Sequence, residues 1–274
     1  ATLPTARLRR AGLPAAGIRA LRAAEPDLMG QRAVNAMERM EATPLWNGRP
    51  PYPVRLADAL GPEAPPVLCV RGARGLLAQH PALAIVGSRE PSRRAREACR
   101  RLAHELAAAG LVLVSGGARG IDTVAHMAGL NRGAAVVVSP VGLGHFRWRG
   151  RRPRPDDSWC LVSQFPPAAG WQNEQALMRN RVIVALADAV VAFEPRDRGG
   201  TWHSCNQALE MGRPLFVLNA AEDTSRTRGQ NALVRRGAVA LTADHMPSPE
   251  ELDRMVADYN PPARAAQTGL FERR

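Results

Sequence analysis

The 274 residues carry 37 basic side chains against 25 acidic ones, a formal net charge of +12, and every basic residue is arginine, because the sequence contains no lysine. Guanidinium groups bind phosphate bidentately and stack on bases, so this excess favours a nucleic-acid partner; a coding bias toward arginine accounts for the missing lysine but not for the net charge. Cys69, Cys99, Cys160 and Cys205 form no C-x-x-C pair, which argues against a metal site or a disulfide framework, and the apolar run 182–193 is broken by Asp188 and too short for a bilayer, so a reduced cytoplasmic protein without a membrane span is expected.

Residues 1–45 read as short helices rich in Ala, Arg and Met, a small N-terminal helical appendage. Prolines 50, 51, 53, 62 and 65 then exclude long regular elements, so 44–66 reads as a lead-in wrapped on the main domain. From Leu83 onward strand and helix signals alternate. The apolar run 83–86 precedes a helical pattern over 92–109, with Ala95, Ala98, Leu102, Leu106 and Ala109 on one face, Ser92 as its cap and Gly110 as its stop. A strand at 111–114 leads through a glycine turn into a helix over 122–130. Further strands are predicted at 135–138, 160–163, 189–193, 215–218 and 238–241, with helices near 174–187, 202–211 and 249–258. Repeated βα units with continuous apolar strands predict an α/β fold: an extended Rossmann-like parallel sheet with helices on both faces over residues 46–260, followed by a tail over 261–274.

Two turns carry the chemistry. Gly87-Ser88-Arg89 leaves one strand with a hydroxyl, backbone amides and a guanidinium at a helix amino end, where an anion is stabilised. In the second turn Gly116, Gly117 and Gly120 surround Arg119, with Asp122 placed to cap the helix or orient Arg119. Neither turn has the G-x-G-x-x-G spacing of a dinucleotide fingerprint or the G-K-[ST] of a P-loop, so nucleotide hydrolysis is not indicated. Both lie at the carboxyl ends of strands, where open α/β sheets bind ligands. Asp122 and His126 stand at i, i+4, and the histidine is expected to pack against its own helix rather than act as a base.

The sequence I-V-G-S-R at 85–89 with its preceding alanine, then S-G-G-A-R-G-I-D-x-x-A-H at 115–126 and R-N-R-x-I at 179–183, resembles the DNA-processing protein A family, also called DprA or Smf. The resemblance implies an extended Rossmann-like domain, a positively charged pocket for single-stranded DNA, the loading of a RecA-type recombinase during natural transformation, and a homodimer. Carried over by position, the pocket would be formed by Gly87, Ser88, Arg89, Gly116, Gly117, Arg119, Gly120, Arg179, Asn180 and Arg181, with Gly200 and Thr201 from a further glycine turn. Arg89, Arg119, Arg179 and Arg181 would contact phosphate. The chain departs from the family pattern at Ser92-Arg93-Arg94-Ala95, at Ser163-Gln164-Phe165-Pro166 and at 199–205, which marks a divergent branch, and the winged-helix module of many members is not expected after residue 260.

Gly199-Gly200-Thr201 also resembles the turn of phosphoribohydrolases in the same superfamily, which makes a nucleotide-binding sensor or a phosphoribohydrolase-like enzyme the alternative. Their glutamate on the following helix has no counterpart between Thr201 and Glu210, so no enzyme, cofactor or metal is expected. The stretch 145–154 interleaves Phe146 and Trp148 with five arginines and reads equally as a base-stacking loop or as a solvated loop pinned by its aromatics. Glu194 is expected to pair with Arg179 or Arg181. Trp159, Trp171 and Trp202 are expected in the core or a lid, Trp202 being the best exception.

Overall fold

Strand β3 (Ala82–Gly87) is apolar throughout and buried from Ala82 to Val86, the signature of a strand covered on both faces. The computed structural model describes residues 26–219 and 224–259. Among them the sheet contains β1 (Ala42–Trp46), β2 (Val67–Gly72), β3, β4 (Val112–Ser115), β5 (Ala134–Val138), β6 (Ser158–Ser163), β7 (Ala189–Phe193), β8 (Leu215–Leu218) and β9 (Val239–Leu241), in the order β1-β2-β6-β5-β4-β3-β7-β8-β9. The strands from β6 to β9 are parallel, whereas β2 runs antiparallel to both β6 and β1. The sheet is therefore mixed at one end and parallel over the rest.

The helices are α1 (Pro26–Arg39), α2 (Val54–Leu60), α3 (Arg93–Ala108), α4 (Ile121–Arg132), α5 (Asn173–Ala185), α6 (Gly200–Glu210), α7 (Thr224–Val234) and α8 (Pro249–Ala257). Alternate residues of β3 serve two cores, because successive side chains point to opposite faces. Ala82, Ala84 and Val86 pack with Leu56 of α2, Ile183 of α5 and Cys205 of α6. Leu83 and Ile85 pack with Leu102 of α3, Ile121 of α4 and Leu252 of α8. The four cysteines are free and buried, and burial pushes the Cys205 thiol up to about 12 and those of Cys99 and Cys160 higher still. No helix of the described residues is long and apolar enough to cross a membrane.

The segment β5-β4-β3-β7-β8-β9 has the strand order of a doubly wound sheet. From β3 the chain winds outward through β4 and β5, then returns to lay β7 on the other side of β3, with Gly87 opposite Phe193. Beyond the carboxyl ends of β3 and β7, loops on the two sides diverge and leave a crevice.

The predicted α3 is present. Ser92 Oγ accepts from Ala95 N at 3.1 Å, and Gly110 follows the helix with φ +88. The proline-rich lead-in holds more regular structure than its composition suggests. Pro44 lies within β1, an edge strand, where a missing amide is tolerated, and α2 starts directly after Pro53. Strand β2 and helix α7 were not predicted either. Expectations for residues 1–25 and 260–274 lie outside the described residues.

Candidate nucleic-acid interface

The two predicted turns interlock. At the end of β3, Ser88 N donates to Phe193 O (3.1 Å), Ser88 Oγ accepts from Glu90 N (3.1 Å), and Ser88 O accepts from Ile121 N (3.2 Å). The first turn is thus fastened to β7 and to the start of α4. Gly120 has φ +84, and a Cβ there would overlap the Ser88 carbonyl and the Arg89 backbone, so only glycine lets the second turn close against the first.

Beneath the turns lies a buried knot. Asp122 Oδ2 accepts from Gly116 N (3.1 Å) and Ala118 N (3.4 Å). Arg179, projecting from α5, donates Nη1 to the carbonyls of Gly116 and Val138 and Nε to Asn180 Oδ1 (3.2 Å). A Cβ at Gly116 would stand 2.6 Å from both Arg179 Nη1 and Asp122 Oδ2, which is why the backbone there carries no side chain. Burial raises the Asp122 carboxyl and lowers the Arg179 guanidinium, and each charge partly offsets the other's shift. Asp122 therefore organises the glycine turn and not Arg119, whose guanidinium pairs with Glu90 at the surface.

Above the knot a cavity of about 540 Å³ occupies the switch point. Its walls include Ser88, Arg89, Glu90 and Arg119 from the two turns, Leu177 and Asn180 from α5, Glu194, Arg196 and Arg198 after β7, Asp122 of α4, and Gly200 and Thr201 at the start of α6. The first amides of α6 have no partner within the helix and add a positive potential. Asn180 Nδ2 donates to Gly200 O (3.2 Å) and joins α5 to that helix start. Arg89 lies 5.9 Å from the ring of Trp171, which is 52% exposed. Among the described residues, Arg89, Arg196 and Arg198 have no carboxylate within ion-pairing distance.

Arg89, Arg119, Trp171 and Arg179 are also walls of a second cavity of about 430 Å³, completed by Gly116, Gly117, Phe146, Arg147 and Arg149. Here the aromatic loop is pinned, as one of the two readings predicts. Phe146 and Trp148 meet edge to face at 5.3 Å, Trp148 meets Trp159 at 5.7 Å, and the His126 ring lies 5.9 Å from Trp148. His126 Nε2 donates to Arg149 O at 2.8 Å, and burial lowers its pKa from 6.5, so the ring is a neutral structural tie.

Of the predicted site residues, Gly87, Ser88, Arg89, Arg119, Arg179, Asn180, Gly200 and Thr201 meet at the first cavity, and Gly116 and Gly117 at the second. Gly120 supports the turn from behind. Arg181 goes elsewhere: two residues from Arg179 along α5 it leaves the opposite side of the helix and pairs with Glu63, so the expectation that it helps form the pocket is corrected. Glu194 is corrected too. Its Oε2 accepts from Ser92 N (2.9 Å) and from Arg226 Nη1 (2.7 Å), with the backbone at φ +51. Trp202 packs on the core, and the exposed tryptophan of the crevice is Trp171. Arg196 and Arg198 were missed, although their place directly after the β7 strand is the signal that finds them.

The chain is thus a doubly wound α/β protein with an arginine-bearing crevice at its switch point, the place where open α/β sheets bind ligands. The family model described as DNA recombination-mediator protein A matches residues 44–248, and the chain belongs to that family. It is 30% identical over 194 residues to the DNA processing protein DprA of Bacillus subtilis, covering 69% of this chain and 65% of that one, just under two thirds of the relative's length. The structure of DprA from Streptococcus pneumoniae superposes with a TM-score of 0.66 at 27% identity, covering 80% of this chain and 74% of the other. That of DNA processing protein A from Helicobacter pylori, described for its single-stranded DNA binding mode, gives 0.65 at 26% identity, covering 80% and 97%.

Proposed function

We propose that this chain binds single-stranded DNA in the switch-point crevice, reading backbone charge with little sequence selectivity, and that it acts as a cytoplasmic recombination mediator that hands the strand to a RecA-type recombinase during transformation. A homodimer and the absence of a chemical step of its own belong to the same proposal. The observation that carries it is the convergence of Arg89, Arg196 and Arg198, none held by a carboxylate among the described residues, with the amino end of α6 on a cavity that shares Arg89, Arg119 and Trp171 with a second one. Two adjoining cavities suit a polymer that must continue past the site.

The roles divide by burial. Arg89, Arg196 and Arg198 meet phosphate directly. Arg119 does so by leaving Glu90, since an exposed ion pair is worth only about 0–1 kcal/mol. Arg179 holds the glycine turn in place, and Arg181 takes no part.

Titrating a fluorescent oligothymidylate ladder and a labelled mononucleotide at low and moderate salt tests the reading. Affinity is expected to rise with length, and log K to fall with log salt by about 0.7 per phosphate bound. Saturation by the mononucleotide, with no gain from added length, would instead make the crevice a nucleotide site.

A further inference from the structure

The basic surface continues beyond the second cavity. Phe146 and Arg147 are also walls of a third cavity of about 380 Å³, on the far side of the pinned loop, whose other walls include Arg71 of β2, Trp159 of β6, and Arg152. The three cavities stand in series, the first sharing Arg89 and Trp171 with the second, the second sharing Phe146 and Arg147 with the third. We propose that the third cavity is an accessory subsite for single-stranded nucleic acid, which takes the strand after it leaves the crevice past Phe146. This rests on the reading of the crevice as a single-stranded DNA site.

Three features select that occupant. Phe146, Trp148 and Trp159 are only partly buried and are locked by their edge-to-face packing, so they offer apolar ring surface to a base without a loss of rotamer freedom on binding. Arginine accompanies them at every side: Arg71 Cζ lies 5.9 Å from the Trp159 ring, and Arg147 is held in place by its donations to Gly144 O (3.1 Å) and Phe146 O (2.9 Å). Arg152 is exposed and has no carboxylate partner among the described residues. Among those residues no acidic side chain lines the cavity; nearby Asp157 is occupied by Arg151, and Glu41 meets Arg71 only in an exposed pair that a phosphate can displace. Alternating rings and guanidinium groups in a wall without acids match a chain of bases and phosphates.

The test compares the parent protein with the double variant Arg71→Ala/Arg152→Ala and with Phe146→Ala, titrated with oligothymidylates from one nucleotide upward. Both positions of the double variant are solvent-facing, and its fold is checked by its thermal midpoint. In the double variant, binding of the shortest ligands is expected to be unchanged, whereas strands long enough to pass the second cavity should bind about tenfold more weakly. The salt slope for those strands should fall by about 0.7 for each phosphate that is no longer neutralised. Phe146→Ala removes a wall common to the second and third cavities and should weaken binding of the longer strands without changing the slope. Unaltered affinity for long strands in the double variant would overturn the proposal, as would an equal weakening at every length, which is the mark of a general charge effect. If the parent binds no oligonucleotide of any length, the reading of the crevice itself fails and the accessory subsite fails with it.

Discussion

The rim of the crevice and the knot beneath it are built from the same residue type to opposite ends. Arg89 stands exposed beside Trp171, with no carboxylate near it among the described residues, while Arg179 is buried with its donors directed at the carbonyls of Gly116 and Val138. One guanidinium is kept available and the other is consumed in holding the glycine turn that closes against the turn presenting the first. What separates binding from scaffolding here is burial, which fixes the partners of an arginine before any ligand arrives.

Replacing Arg179 by alanine puts the most strain on this division. It leaves the Gly116 and Val138 carbonyls without their buried donor, removes the charge that faces Asp122, and is expected to lower stability by about 2–5 kcal/mol in urea unfolding. A variant that kept its stability but no longer bound DNA would show that Arg179 belongs to the rim after all. Gly120→Ala comes next, at about 1–3 kcal/mol, because it combines a positive φ with a Cβ against the Ser88 carbonyl. At the rim the effects reverse: Arg89→Ala should leave stability within about 0.5 kcal/mol of the parent and weaken oligonucleotide binding about tenfold. Calorimetry paired with anisotropy separates the two classes.

The smallest expected effect is a slope with pH. Burial holds the His126 imidazole below its ordinary value of 6.5, so well above pH 6.5 the ring is neutral in both folded and unfolded chains, and its tie to the Arg149 carbonyl is intact. Below 6.5 the unfolded chain takes up a proton that the folded one resists, and stability declines as the pH falls toward the lowered value. His126→Asn should flatten the thermal midpoint across that window. A slope that persisted would move the titration to another group.

The parallel half of the fold was readable because β3, β4, β5 and β7 are uninterrupted apolar runs, each followed by a turn residue whose role is local. The same locality exposed both arginine-bearing turns. What escaped depended on distance or on phase. The pairing of Glu194, just after β7, with Arg226 of α7 joins two elements distant in the chain, and nothing in the neighbourhood of either residue announces it. Arg181 was grouped with Arg179 because the two are adjacent in a motif, while the helix sends them to opposite sides. Strand β1 was hidden by Pro44, whose composition signal says loop although an edge strand accepts it. Trp171 is exposed just before α5 whereas Trp202, on α6, is partly buried against the core, a difference set by tertiary packing.

The four buried cysteines make this protein convenient to instrument. With thiols that are sealed in the interior and reluctant to ionise, the native chain should ignore maleimides and similar reagents on the timescale of an ordinary conjugation. A single cysteine engineered on the exposed face can then carry a dye or spin label beside the crevice, with all four natural thiols left in place.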